Sequence, residues 1–336
     1  MLNIEDHTQL THYLAGSGLI EDGEDVLCQR LAGGVSCTTV LVKRPNDKDF
    51  VIKQALPRLR VASNWTSNPK RSHREAQGIR YLRQLLPGIS VPDLLFEDIE
   101  NHILAMAAVP QPHDNWKYLL LSGVLVADHA RQFGQLLGSI HAKAFEQSAA
   151  IEPVFRDYSF FETLRLEPYY TFTQHQIPAA ASFLGTLISE TRKHRITLVH
   201  GDYSPKNILI YQNNLVLLDH ETIHWGDPMF DLGFSLTHFL SKANHDPQRR
   251  SEYIQLSHIY WNSYCEHVKG SFWDDACELR AVKHTLACLL ARVNGRSPLE
   301  YLDQTEQERQ RRVVLELMNN PGPSVPQLTD SFVKQL

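Results

Sequence analysis

Leu198-Val199-His200-Gly201-Asp202-Tyr203-Ser204-Pro205-Lys206-Asn207-Ile208-Leu209-Ile210-Tyr211, continued by Gln212-Asn213-Asn214-Leu215-Val216-Leu217-Leu218-Asp219, is the stretch on which the reading of this chain turns. Two short apolar, β-branched runs, Ile208–Tyr211 and Leu215–Leu218, flank an Asn-rich turn, which predicts a β-hairpin. Asn207 enters that hairpin and Asp219 leaves it. Residues facing each other across an antiparallel pair lie roughly 4.5–5.5 Å apart at Cα. Two oxygen-bearing side chains are therefore expected at the open end, close enough to share a hard cation such as magnesium. Asp202 stands in the loop just before the hairpin. A carboxylate there could orient a hydroxyl and accept its proton beside a metal-bound triphosphate.

Upstream the pattern is mixed. Residues from about Cys28 to Ala55 read as strands, with Thr39–Val42 and Phe50–Ile52 on either side of the turn signal Pro45-Asn46-Asp47. Ser72 can cap a helix running to about Leu86, with Glu75 three residues on as its capping-box partner. Ile103–Met106 reads as a buried strand. Beyond about Asp114 the spacing turns helical: Phe133, Leu136, Leu137 and Ile140 share one face, and Ser251–Arg292 and Gln304–Met318 continue in that manner. The expected fold class is α+β, with a β-rich N-terminal lobe over residues 1–108 and a larger, mainly helical lobe over 109–336. The hinge is expected near Met106–Pro112, where prolines interrupt the pattern.

His-Gly-Asp, an Asn five residues after the Asp, and a further Asp after a short hairpin together resemble the Brenner-type motif of aminoglycoside phosphotransferases and choline kinases, relatives of the protein kinases. Gly226-Asp227-Pro228-Met229-Phe230-Asp231-Leu232-Gly233 is similar to the segment that follows in that superfamily. The resemblance implies a bilobal protein-kinase-like fold, Asp202 as catalytic base, and Asn207 and Asp219 as magnesium ligands. Asp227 and Asp231 would hold the catalytic loop and cap the next helix. In the first lobe, Ala32-Gly33-Gly34-Val35-Ser36 resembles the loop covering the nucleotide, where Gly33, Gly34 and Ser36 let backbone amides approach phosphate oxygens. Lys53 looks like the strand lysine that contacts the α- and β-phosphates, with Glu75 as its ion-pair partner and Met106 to Val109, including Ala108, as the segment reading the adenine edge. The resemblance covers about residues 28–240.

Lys53-Gln54-Ala55-Leu56-Pro57, with Arg60-Val61 and Trp65 beyond, is also similar to a stretch of methylthioribose kinases, as is the acid-x-acid run Asp219-His220-Glu221. By that likeness Glu221 would help hold a second metal ion. Asn207 departs from what methylthioribose kinases are expected to carry there, which leaves the acceptor open. Arg292 is placed where related enzymes put a substrate-contacting arginine. A surface ion pair is the alternative reading of that residue.

The implied activity is transfer of the γ-phosphoryl group of ATP or GTP to a hydroxyl of a small metabolite. Seven residues separate Asp219 from Asp227, too few for the activation segment with which protein kinases dock peptides. Two other classes compete. One is a catalytically idle module that keeps the nucleotide site. The other is a zinc hydrolase, because His220-Glu221-Thr222-Ile223-His224 matches H-E-x-x-H. That chemistry needs a helix, and Thr222, Ile223 and the following Gly226-Asp227-Pro228 argue against one. A net charge of -5 argues against nucleic-acid or anionic-membrane partners. Five cysteines without tight pairs, no apolar run of membrane-spanning length and no visible signal peptide lead to the expectation of a cytoplasmic protein. The expected partners are a nucleotide and a small alcohol, with monomer or homodimer left open.

Overall fold

The computed structural model describes residues 2–31, 34–61, 65–86, 88 and 90–336. The chain is α+β and divides into two compact units, residues 1–113 with 216–222, and residues 114–215 with 223–336. The first unit therefore extends five residues past the expected boundary. It also takes in the segment that carries Asp219 and Glu221.

The first unit is built on an antiparallel sheet in the order β1-β2-β3-β5-β4: β1 (Leu27–Arg30), β2 (Cys37–Lys43), β3 (Phe50–Ala55), β4 (Leu94–Asp98) and β5 (Ile103–Ala107). Side chains alternate across a strand, so the register decides which residues share a face. Val40 pairs with Ile52, and Ile52 with Ala105. These residues join Val42, Phe50 and Ile103 in a core with Leu10 and Leu14 of helix α1 (His7–Gly16). Lys53 is one position out of phase with Ile52, so it projects from the opposite face. Helix α2 (Arg71–Leu85) buries Glu75, Ile79 and Leu82.

Helix α2 starts differently from the expectation. Its N-cap is Lys70, with no capping side chain, and the Ser72 hydroxyl donates instead to the carbonyl of Pro69 (3.2 Å). The fully buried Arg71 accounts for this start. Its Nη1 donates to the carbonyls of Ser67 and Asn68 (3.1 and 3.2 Å), closing the turn from within. Glu75 is freed from any capping role and turns into the sheet face.

The second unit is mainly helical, with β6 (Thr197–Val199) paired to β9 (His224–Gly226); the predicted hairpin forms as β7 (Ile208–Tyr211) and β8 (Asn214–Leu217), and a short strand at His113–Asn115 pairs with β7. Gln212 and Asn213 turn that hairpin with φ of 49° and 62°, the left-handed pair that a tight two-residue turn needs. The main helices are α3 (Trp116–Leu121), α4 (Ala127–Glu146), α5 (Ala181–Lys193), α6 (Met229–His245), α7 (Arg250–Val268), α8 (Asp275–Asn294), α9 (Gln304–Asn319) and α10 (Val325–Gln335). Every residue of α6 from Met229 to Asn244 is buried, so it is a central helix enclosed on all sides. Gly233 permits this. A Cβ there would stand 2.6 Å from the backbone carbonyl carbon of His284 and from the amide nitrogen of Thr285, so α6 and α8 touch backbone to backbone. A stretch at Glu162–Thr171 containing Pro168 winds as a π-helix, which the sequence reading did not anticipate. No helix among the described residues is long and apolar enough to cross a membrane.

Candidate active site

In the second unit the His200-Gly201-Asp202 loop is fixed by its backbone. Asp231, on the first turn of α6, accepts from the amides of His200 (2.7 Å) and Gly201 (2.8 Å), and from His141 Nε2 (3.3 Å). Burial would raise the pKa of this carboxyl. The bonds from His141 and the His200 amide outweigh that and hold it below the usual carboxylate range. Gly201 has φ +78°, a conformation that would strain any side chain. Asp227 plays the neighbouring part: it accepts from the amide of Met229 (3.1 Å) and pairs with Arg280 Nε (3.2 Å), so it caps α6 and anchors it to α8.

Asp202 is buried, and one of its oxygens serves two donors. Oδ2 accepts from Asn207 Nδ2 (2.7 Å) and pairs with Arg165 Nη2 (2.8 Å). Asn207 Nδ2 donates also to the Asp202 carbonyl (2.9 Å), which leaves Oδ1 as the oxygen of that amide able to meet a cation. Arg165 comes from the π-helical stretch, donates its Nε to the carbonyl of Gly201 (2.8 Å), and lies over the rings of Tyr169 and Phe234. No motif in the sequence ties an arginine 37 residues upstream to the loop that carries Asp202. Two further residues of this unit went unread in the sequence, His238 and Lys242 on α6.

In the first unit Lys53 Nζ lies between two carboxylates, Glu75 Oε1 at 2.6 Å and Asp219 Oδ1 at 2.9 Å. Burial would lower the Lys53 pKa. Asp219 and Glu75 outweigh it and hold the ammonium well above its ordinary value. One cation cannot balance two carboxylates in a dry site. Glu75, the more enclosed of the two, is pushed up to about 7, chiefly by burial and against the attraction of Lys53. Asp219 sits at φ +67°, an uncommon conformation for a residue other than glycine and one that concentrates at functional sites. Glu221, two residues on, pairs with Arg71 Nε through Oε2 (2.9 Å), and the same oxygen accepts from Cys37 Sγ (3.6 Å).

The remaining predicted positions lie in the first unit, except Arg292, which is in the second. Ser36 gives its carbonyl to Arg71 and to the amide of Leu56. Gly34 is in the loop before β2, with the Cys37 carbonyl 3.2 Å from where a Cβ would stand, and Gly33 lies outside the described residues. Met106 pairs with Val51 across β5 and β3, and the Ala108 amide donates to the carbonyl of Asp49 (3.1 Å). Arg292, on α8, donates Nη1 to the Tyr169 hydroxyl and to Ser297 Oγ, both at 2.9 Å. The His220–His224 run is not helical, and His224 opens strand β9, so the two histidines do not share a helix face. Among the described residues no group of three or more His, Cys, Asp or Glu could hold a metal by itself.

Residues 28–267 match the phosphotransferase enzyme family APH. The chain belongs to that family. Among curated relatives, this phosphotransferase-family chain is 26% identical to the methylthioribose kinase of Enterobacter sp. (strain 638), over 57% of the chain and 54% of the relative. It is 25% identical to the 4-hydroxytryptamine kinase of Psilocybe cubensis, over 62% of the chain and 66% of the relative. The chain thus spans about half to two thirds of the length of these relatives. Among solved structures it is similar to amicoumacin kinase hAmiN in complex with AMP-PNP, Ca2+ and Ami, with a TM-score of 0.59, 15% identity, and coverage of 95% of this chain and 98% of that one. At that identity the likeness speaks for the fold.

Proposed function

We propose that this family member is a small-molecule kinase, transferring the γ-phosphoryl group of ATP or GTP to a hydroxyl, with Asp202 as the base. The observation that carries the reading is the double engagement of Asp202 Oδ2 by Asn207 and Arg165. It orients the carboxylate and leaves Oδ1 for the incoming hydroxyl. Asp202 accepts the hydroxyl proton as the oxygen attacks in line, and positioning supplies most of the acceleration. Lys53, kept charged by Glu75 and Asp219, would bind phosphate oxygens, with backbone amides at Gly34 and Ser36 as further phosphate contacts and Met106 and Ala108 reading the base.

An amide oxygen on Asn207 and a carboxylate on Asp219 are donor types that suit a hard divalent cation. They are too few to hold one without phosphate oxygens and water, which is how magnesium is usually kept in such sites. Asn207 and Asp219 would hold Mg2+, and the ion when bound would neutralise charge on the phosphates. Glu221, expected as a further ligand, has Oε2 committed to Arg71, and we assign it a positioning role.

The test is an ADP-release assay with Mg2+ and ATP or GTP over a panel of sugars, hydroxy acids, amino alcohols and aminoglycosides, with Asp202→Asn alongside. Loss of a general base costs roughly 10²–10⁴-fold, so turnover should fall by that factor while nucleotide affinity stays. Nucleotide binding without turnover in the wild type on any acceptor would favour an idle module, and no nucleotide binding would refute the reading.

A further inference from the structure

Behind Asp202 the second unit carries a cluster of cations whose charges are not balanced by ion pairs. Lys242, on the buried helix α6, is completely enclosed, yet among the described residues its Nζ donates only to the carbonyl of His238 (3.3 Å) and lies over the ring of Tyr301 (5.3 Å). Arg292 spends Nη1 on Tyr169 and Ser297, while its Nε is buried without a partner. His238 Nε2, Ser241 Oγ and the Tyr301 hydroxyl are likewise buried without partners among the described residues. No carboxylate of the described residues lies within ion-pair distance of Lys242 or Arg292. Glu300 belongs to Lys117, and Asp202 to Arg165.

The electrostatics agree. Burial first, then Lys117 and Arg292, push Lys242 down to about 7, with Glu300 opposing. Burial and Lys242, Arg292, Lys117 and Lys206 hold His238 well below its ordinary value. Buried cations of this kind are costly unless something pairs with them. A continuous ladder links the cluster to the base: Arg292 bonds Tyr169, the Tyr169 and Phe234 rings lie 5.7 Å apart, His238 meets Phe234 edge-on (5.3 Å), and Arg165, paired with Asp202, lies over both Tyr169 and Phe234.

We propose that the phosphoryl acceptor is an alcohol bearing an anionic oxygen group, carboxylate or phosphate, which docks on Lys242 and on the Nε edge of Arg292 while its hydroxyl meets Asp202. This rests on the kinase reading for the hydroxyl and on the cluster alone for the anion. Cationic acceptors are disfavoured by the same charges. Binding an anion raises the pKa of Lys242, so the interaction is complete below about pH 7 and weakens as pH rises through the liganded value.

The experiment is thermal unfolding of the full chain in saturating ADP, with malonate or sulfate against chloride at equal ionic strength, for wild type, Lys242→Met and Arg292→Gln. The expected result is a rise of a few degrees in wild type at pH 6, smaller at pH 8.5 and lost in both variants. Sulfate also stabilises by exclusion from surfaces, which the variants subtract. Lys242→Met should unfold no earlier than wild type, because it removes a buried charge that lacks an ion-pair partner. An oxyanion shift retained in both variants, an absent shift, or a strongly destabilised Lys242→Met each overturns the proposal. In the kinetic arm, glycerate against glycerol and ribose 5-phosphate against ribose should favour the anion by about 10–100-fold in kcat/KM, as charged hydrogen bonds do. Preference for choline or kanamycin would overturn it. An oxyanion response without any ADP response would sink the kinase reading and keep the anion site, and the converse would do the opposite.

Discussion

Glu221→Gln removes one charge from a pair whose guanidinium is wholly enclosed, so its cost follows from the contacts. Arg71 makes its ion pair through Nε (2.9 Å) and gives its remaining donors to the carbonyls of Ser36, Leu56, Ser67 and Asn68. With glutamine the hydrogen bond can survive, but the guanidinium loses its counter-charge. Stranding a buried ion costs about 3–5 kcal/mol, and about 1.4 °C accompanies each kcal/mol in a chain of 336 residues. The melting temperature should therefore drop by roughly 4–7 °C. Arg71→Met should be worse, because it strands Glu221 and four carbonyls together. The double variant should be milder than the sum of the two. Scanning calorimetry reads the loss, and hydrogen exchange of β2 and β3 assigns it to the first unit. A drop below about 2 °C, with a raised Mg2+ requirement for turnover, would refute the reasoning and return Glu221 to the metal.

Two further outcomes follow from the geometry. Glu75 has a folded pKa of about 7, raised above its ordinary 4.5, so its contribution to stability is complete below pH 4.5 and is lost as pH rises through 7; denaturant titrations should show that loss in wild type and a flatter profile in Glu75→Gln. Gly233→Ala drives a methyl group into the backbone of His284 and Thr285, and chemical denaturation should reveal a loss of about 1–3 kcal/mol or more from overpacking.

Local chemistry was legible in the sequence where it is written locally. The hairpin between Asn207 and Asp219, the strand at Ile103–Met106 and the helix through Phe133 and Ile140 are set by period and turn residues, and each forms within two residues of its expected place or as part of a longer element. Glu75 shows the limit. As a sequence it fits a capping box, but the tertiary pull of Lys53 on a buried sheet face overrides that local option. Arg165, His238 and Lys242 were illegible for a different reason. Their meaning arises only when α6, α8 and the π-helical stretch pack, and an isolated buried lysine is indistinguishable in sequence from a solvated one.

Helix α6 bears Asp231, Phe234, His238 and Lys242 at intervals of three, four and four residues, a single stripe along its length. With a rise of about 1.5 Å per residue, the step from Phe234 to His238 spans about 6 Å, and Lys242 reaches back to the level of His238. With an anionic acceptor as proposed, the helix would act as a ruler, setting how many bonds separate the reactive hydroxyl from the charged tail. Its two ends can evolve separately: a change at position 242 would alter which molecules fit the gauge and leave the zero mark at Asp231 untouched.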